Sequence, residues 1–146
     1  MITVTVEALI DATPDAVFHA LSDIENFPST NPATQSVAFL GEQQQGIGTR
    51  FREVRLMNGQ EMAFDLEVAG YDAEARTTRF VNETHGTVWD TTVTVTPEVG
   101  GARARFAMDC IGSTLLKRLM NRVMSPLFRR GMQDQVDALK RYCEAP

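Results

Sequence analysis

Metal and thiol chemistry have little to draw on in this sequence. It holds two histidines and two cysteines, far apart along the chain. His19 and His85 fall on different predicted elements, so the clustered His/Cys/Asp/Glu set that a metal ion needs is missing, and no metal is expected. Cys110 and Cys143 have no CxxC spacing and are expected to be free, buried, small hydrophobes. Also missing are GxSxG, the phosphate-cradling GxxxxGK(S/T) and GxGxxG. Hydrolase, nucleotide and dinucleotide readings therefore lack support, and no cofactor is expected. Met1 to Ile10 alternates Thr with Val and carries Glu7, so it is neither a basic segment before an apolar run nor a membrane span; a cytoplasmic protein is expected. The formal net charge of −5 removes nucleic acid as a partner of the chain as a whole, because phosphate binding needs a concentrated positive field.

The composition is that of an ordinary globular protein, with 43% apolar and 23% charged residues. A chain of 146 residues fits one domain, expected over 1–146, and can bury roughly 70% of its unfolded surface. A core and a pocket can coexist.

Ile2, Val4, Val6, Ala8 and Ile10 alternate with Thr3, Thr5, Glu7 and Asp11, the period of a half-buried strand. Thr13, Pro14 and Asp15 supply a cap, a first-turn proline and an acid at the positive terminus of a helix with Val17, Phe18 and Leu21 on its apolar face. The prolines at Phe27-Pro28 and Asn31-Pro32 force the chain to turn. Gln35 to Glu42 reads as a second strand. Asn58-Gly59, His85-Gly86 and Pro97 to Gly101 punctuate three further hairpins. Ser113 is the expected N-cap of a long helix from Thr114 to about Tyr142, in which Pro126 is expected to cause a kink or a break.

Strand, short helices, six strands in sequential hairpins and a long amphipathic helix make an α+β pattern: a curved antiparallel sheet of about seven strands wrapped around the C-terminal helix. That order resembles the START-like (SRPBCC) helix-grip superfamily, which includes polyketide cyclases, pollen-allergen-like proteins and lipid-transfer domains. The residues carrying the resemblance are Val4-Thr5-Val6-Glu7-Ala8-Leu9-Ile10-Asp11-Ala12-Thr13-Pro14-Asp15-Ala16-Val17-Phe18, Asn26-Phe27-Pro28, Gly46-Ile47-Gly48-Thr49, Val93-Thr94-Val95-Thr96-Pro97 and Leu139-Lys140-Arg141-Tyr142-Cys143-Glu144. The resemblance implies a cavity for a ligand and transfers no catalytic residue, because one such fold hosts many functions.

Directly opposed residues of an antiparallel pair share a face, so the turns predict which side chains point inward. A two-residue turn at Asn58-Gly59 pairs Met57 with Gln60, Arg55 with Met62, Glu53 with Phe64 and Phe51 with Leu66. The opposite face then matches Arg52 with Asp65 and Arg50 with Glu67. Glu53 and Arg55 become polar residues on an apolar concave face, paired with each other or the C-terminal helix, or anchoring a ligand. The His85-Gly86 turn pairs Asn82 with Trp89, Phe80 with Thr91 and Thr78 with Val93. Asn82 can orient a ligand carbonyl or bond backbone, and Trp89 is a ligand wall or a packing anchor. Phe106 and Met108 extend the inward face. Leu116, Met120, Val123, Met124 and Leu127 add a helix stripe that is either core or ligand lining.

The first function this pattern predicts is binding of a hydrophobic small molecule, such as a lipid, polyketide or aromatic compound, as carrier or sensor. A second is a cyclase-like enzyme holding a polyketide in a reactive conformation, with Glu53 or His85 moving a proton and Arg55 stabilising an oxyanion. A third is an interaction module. Lys117, Arg118, Arg122, Arg129 and Arg130 form a basic helix face with no acid between Ser113 and Arg130, suited to an acidic partner or a membrane surface, or else countering outer-sheet carboxylates.

Overall fold

The computed structural model describes residues 1–146. Strands β1 (Ile2–Ile10), β2 (Thr34–Phe39), β3 (Arg50–Met57), β4 (Gln60–Asp72), β5 (Thr77–Thr84), β6 (Thr87–Glu98) and β7 (Gly101–Gly112) form one antiparallel sheet in the order β1-β7-β6-β5-β4-β3-β2. Helices α1 (Pro14–Ser22) and α2 (Phe27–Thr30), with a 3-10 turn over Ile24–Asn26 between them, join β1 to β2, and α3 (Leu115–Glu144) ends the chain. This is the expected α+β helix-grip arrangement, with seven strands.

The two tight turns adopt the conformation their residues favour. Asn58 and Gly59 have φ of 51° and 77°, and His85 and Gly86 have 51° and 80°, the left-handed pair of a type I′ turn whose twist matches the flanking strands. Both registers follow as expected, with Glu53 opposite Phe64 and Asn82 opposite Trp89. On the outer face Arg52 holds Asp65 through two hydrogen bonds of 2.7 and 3.0 Å, and Arg79 holds Asp90 through two of 2.8 and 2.6 Å. Arg50 and Glu67 oppose each other in the register without closing an ion pair. Exposed pairs contribute about 0.2–1 kcal/mol each, whereas burying one side chain the size of Phe51 contributes about 1.5–3 kcal/mol. The apolar face therefore sets the register and the charges follow it.

The main core lies between the inner faces of β1, β6 and β7, α1 and the second half of α3. It includes Val4, Ile10, Val17, Leu21, Val93, Val95, Ala104, Met132, Val136 and Leu139. A smaller cluster of Ile24, Phe51 and Val68, with Phe27 and Phe80 packed on it, fills the base of β3 to β5.

Three local expectations change. Pro126 lies inside a continuous α3 because the Ser125 hydroxyl donates to the Arg122 carbonyl at 2.9 Å, replacing the N–H that proline cannot supply. Thr114, not Ser113, caps α3, accepting from the Lys117 N–H at 3.1 Å. β2 stops at Phe39 instead of Glu42, because the chain bends from Leu40 into the Gly41-containing loop. At α1 the Thr13 side chain accepts from Ala16 N–H as expected.

Candidate functional site

The inward residues of β3 to β7 are incompletely covered. Phe64, Leu66, Phe80, Asn82, Trp89, Thr91 and Met108 are half-buried on the concave face, together with Met62. The cause is the placement of α3, which packs on β1 and β7 and on α1 and α2, so that beyond the buried Phe51, Glu53, Val68 and Thr78 the inner face of β4 to β6 is only partly covered. What remains is an open concave stretch of the sheet, a shallow hollow, with one flank of α3 beside it.

Arg129 donates to the Thr5 carbonyl of β1 at 2.8 Å, and Asn121 donates to the Thr87 hydroxyl of β6 at 3.3 Å; these bonds fix the rotation of the helix. Met120, Met124 and Leu127 lie roughly 140–180° around α3 from Arg129, on the flank away from the β1 edge and toward the hollow. They are 49%, 41% and 58% exposed, so core packing of this stripe is excluded. Phe51 and Phe106, expected as lining, pack instead: Phe51 is fully buried among Ile24 and Val68, and Phe106 lies in the main core.

Sequence reasoning missed Phe27. Its ring makes edge contacts with Phe51 and Phe80, both at 5.9 Å between centroids, so α2 plugs the base of the hollow. It also missed Phe128, whose ring meets Trp89 edge-on at 4.8 Å and ties α3 to β6. The helical spacing of Phe128 from Met132 and Asn121 was the available signal.

Glu53 is the buried charge of the site, 2% exposed. One carboxylate oxygen accepts from the Thr34 hydroxyl at 2.6 Å and the other from Arg55 Nε at 2.7 Å. Mutual pairing of Glu53 and Arg55 is thus realised, and the C-terminal helix takes no part. Arg55 stays partly exposed beside the hollow. The Asn82 amide donates to the Thr84 hydroxyl at 2.8 Å. His85 is exposed at the turn, and His19 is exposed on α1. Cys110 and Cys143 are free; burial pushes the Cys110 thiol up to about 11, so it is a poor nucleophile.

β4 and β5 part toward their turns: their pairing ends at Glu67 opposite Val81. An open cleft of about 460 Å³ occupies this notch, lined by Arg52, Phe64, Asp65, Glu83, Thr84 and His85, and one of about 260 Å³ adjoins it. The lining mixes inward and outward side chains, and the bidentate hydrogen bonding of Arg52 holds the Asp65 carboxyl below its ordinary range.

A family model described as polyketide cyclase/dehydrase and lipid transport matches residues 1–144. The chain belongs to that family. Solved structures share its fold. TTHA0849 from Thermus thermophilus is 20% identical with a TM-score of 0.80, over 99% of this chain and 98% of that one. Ara h 8.0201 is 16% identical with a TM-score of 0.80, over 99% of each chain. The di-domain ARO/CYC BexL from the BE-7585A biosynthetic pathway is 22% identical with a TM-score of 0.77; 99% of this chain covers 47% of that protein. No curated protein sequence matches the chain. For this member of the polyketide cyclase/dehydrase and lipid transport family, the likenesses at such identities establish the fold alone, and the site must be argued from its own residues.

Proposed function

We propose that the protein binds a hydrophobic small molecule in the hollow between the concave face and α3, as carrier or sensor. The observation carrying this reading is the facing of two incompletely buried apolar surfaces, Phe64, Leu66, Phe80, Trp89 and Met108 on the sheet and Met120, Met124 and Leu127 on the helix. Water against such surfaces is displaced favourably by an apolar ligand, at about 25 cal/mol per Å² covered. Methionines on the helix side adapt to ligands of varied shape. The guanidinium of Arg55 and the amide of Asn82 are polar groups able to orient a ligand oxygen.

Carrier or sensor is favoured over cyclase by the state of Glu53. The carboxylate is 2% exposed and each oxygen already accepts a short hydrogen bond from a neighbouring side chain, so it is sequestered from a molecule on the open face and poorly placed to take a proton from it. His85 sits exposed on the β5–β6 turn, in the notch between β4 and β5, where Phe64 is the one apolar wall residue beside it.

Native mass spectrometry of gently purified protein, followed by denaturing extraction, tests the proposal. A stoichiometric hydrophobic molecule supports it. An empty protein that also binds nothing from a lipid and polyketide panel overturns it, and turnover of a panel member would move the assignment to the cyclase reading.

A further inference from the structure

The apolar surface of α3 is wider than the hollow needs. Leu115, Leu116, Leu119 and Val123 lie roughly 120–160° around the helix from Asn121, which faces the sheet, so they point outward. They are 80%, 66%, 59% and 69% exposed, more than the residues on the hollow side. The end of the sheet where α3 begins also carries other exposed apolar side chains, Leu56 and Met57 at the β3–β4 turn and Ile111 near the end of β7, but Leu56 and Ile111 are on the outer face of the sheet and are separate from the helix patch.

The charge around the patch has one sign. No acid occurs from Cys110 to Gln133, while Lys117, Arg118, Arg122, Arg129 and Arg130 fall within that stretch. None of the five closes an ion pair, so they do not counter the outer-sheet carboxylates. Arg118 and Arg129 bond backbone carbonyls, whereas Arg122 and Arg130 are exposed and free of such bonds; Arg122 borders the apolar arc and Arg130 lies on the same arc about two turns beyond Val123. Acids at the same end of the sheet, such as Glu61 beside the β3–β4 turn, Glu83 and Asp109, belong to other elements, and Asp134 follows the stripe one turn beyond Arg130. No helix is long and apolar enough to cross a membrane. An amphipathic helix with basic side chains beside its apolar face and too little hydropathy to span is suited to lie in the plane of an anionic lipid surface.

We infer that the outward face of the first half of α3 docks the protein on an anionic bilayer, with Leu115, Leu116, Leu119 and Val123 entering the headgroup region and Arg122 and Arg130 meeting lipid phosphates. This surface adjoins the hollow-facing flank along the line of Leu116 and Leu127, but Leu115, Leu119 and Val123 lie outside it, so variants at those positions test docking apart from ligand binding.

Flotation of the full chain with vesicles tests it, comparing phosphatidylcholine alone with an equal mixture of phosphatidylcholine and phosphatidylglycerol. Binding is expected to the mixed vesicles, weakened by salt. Arg122→Gln with Arg130→Gln is expected to lower partition about thirtyfold, at about 1 kcal/mol per basic residue near the surface. Leu119→Gln with Val123→Gln is expected to abolish it while far-ultraviolet circular dichroism is unchanged, since both side chains are exposed. Equal binding to the two vesicle types, or none to either, overturns the inference. So does a concentration-dependent dimer, seen by analytical ultracentrifugation, that Leu119→Gln dissolves, because the patch then serves a second copy of this chain.

Discussion

Glu53 accepts a 2.7 Å hydrogen bond from Arg55, two residues along the same strand, and the carboxylate is almost wholly buried while the guanidinium reaches the hollow. Removing the cation alone strands a buried charge with only the Thr34 hydroxyl as partner. A fully buried pair loses about 3–5 kcal/mol when one member is removed; partial exposure of Arg55 reduces the expected loss for Arg55→Met to about 2–3 kcal/mol. Urea unfolding measures this. Adding Glu53→Gln to Arg55→Met is expected to recover most of the loss, and both variants should change ligand affinity if Arg55 orients the ligand. Equal destabilisation of single and double variants would show that Arg55 acts by packing alone.

A second pair ties the chain ends together. Glu144 accepts from the Asp11 N–H and from Lys140, each within 2.8 Å, and these bonds hold its carboxyl below the ordinary range. A depressed folded value means stability that is fully present above the unfolded value and is lost as pH falls through the folded one. The difference in melting temperature between the native chain and Glu144→Gln is therefore expected to be largest near neutral pH and to vanish in acid below the ordinary carboxylate range. A difference that stays constant with pH would assign the effect to helix packing.

The two type I′ turns separate conformational strain from crowding. A Cβ at Gly59 would meet nothing within 4 Å, whereas one at Gly86 would lie 3.0 Å from the Ser113 hydroxyl. Both sites have φ near 80°, where an L side chain costs roughly 1–2 kcal/mol. Gly59→Ala is expected to cost about that much by thermal unfolding, and Gly86→Ala measurably more, since the Ser113 N–H is also bonded to the Gly86 carbonyl. Equal costs would mean that the start of α3 yields freely.

Those turns also explain what was legible in the chain. Asn58-Gly59 and His85-Gly86 fix register locally, and alternation then assigns each inward residue, so Glu53, Phe64, Asn82 and Trp89 could be placed from sequence. The position of α3 could not. Its stripe from Leu116 to Leu127 has the period of a buried face, yet long-range docking by Asn121, Phe128 and Val136 turns that stripe away from the core. Phe27 was hidden for the same reason: its role exists only once α2 folds back on Phe51 and Phe80. Ser125 shows a third limit, since proline rules alone predict a kink at Pro126 and the compensating hydroxyl is one residue earlier.

Trp89 is the only tryptophan of the chain, half-buried on the inward face of β6 with its ring against Phe128. An apolar ligand in the hollow would replace water around the exposed part of the indole, so bound ligand is expected to shift Trp89 emission to shorter wavelength and saturate at one equivalent. Phe128→Ala removes an aromatic contact of about 0.5–1.5 kcal/mol and the area it covers. Because the ring is only partly buried, the total loss is expected to be about 2–3 kcal/mol, below the roughly 3–5 kcal/mol of a fully buried phenylalanine. Emission of the free variant should move to longer wavelength, and the ligand-induced shift should grow because more of the indole starts in water. A ligand retained by mass spectrometry that leaves Trp89 emission unchanged would move the binding site out of the hollow, to the notch where β4 and β5 separate.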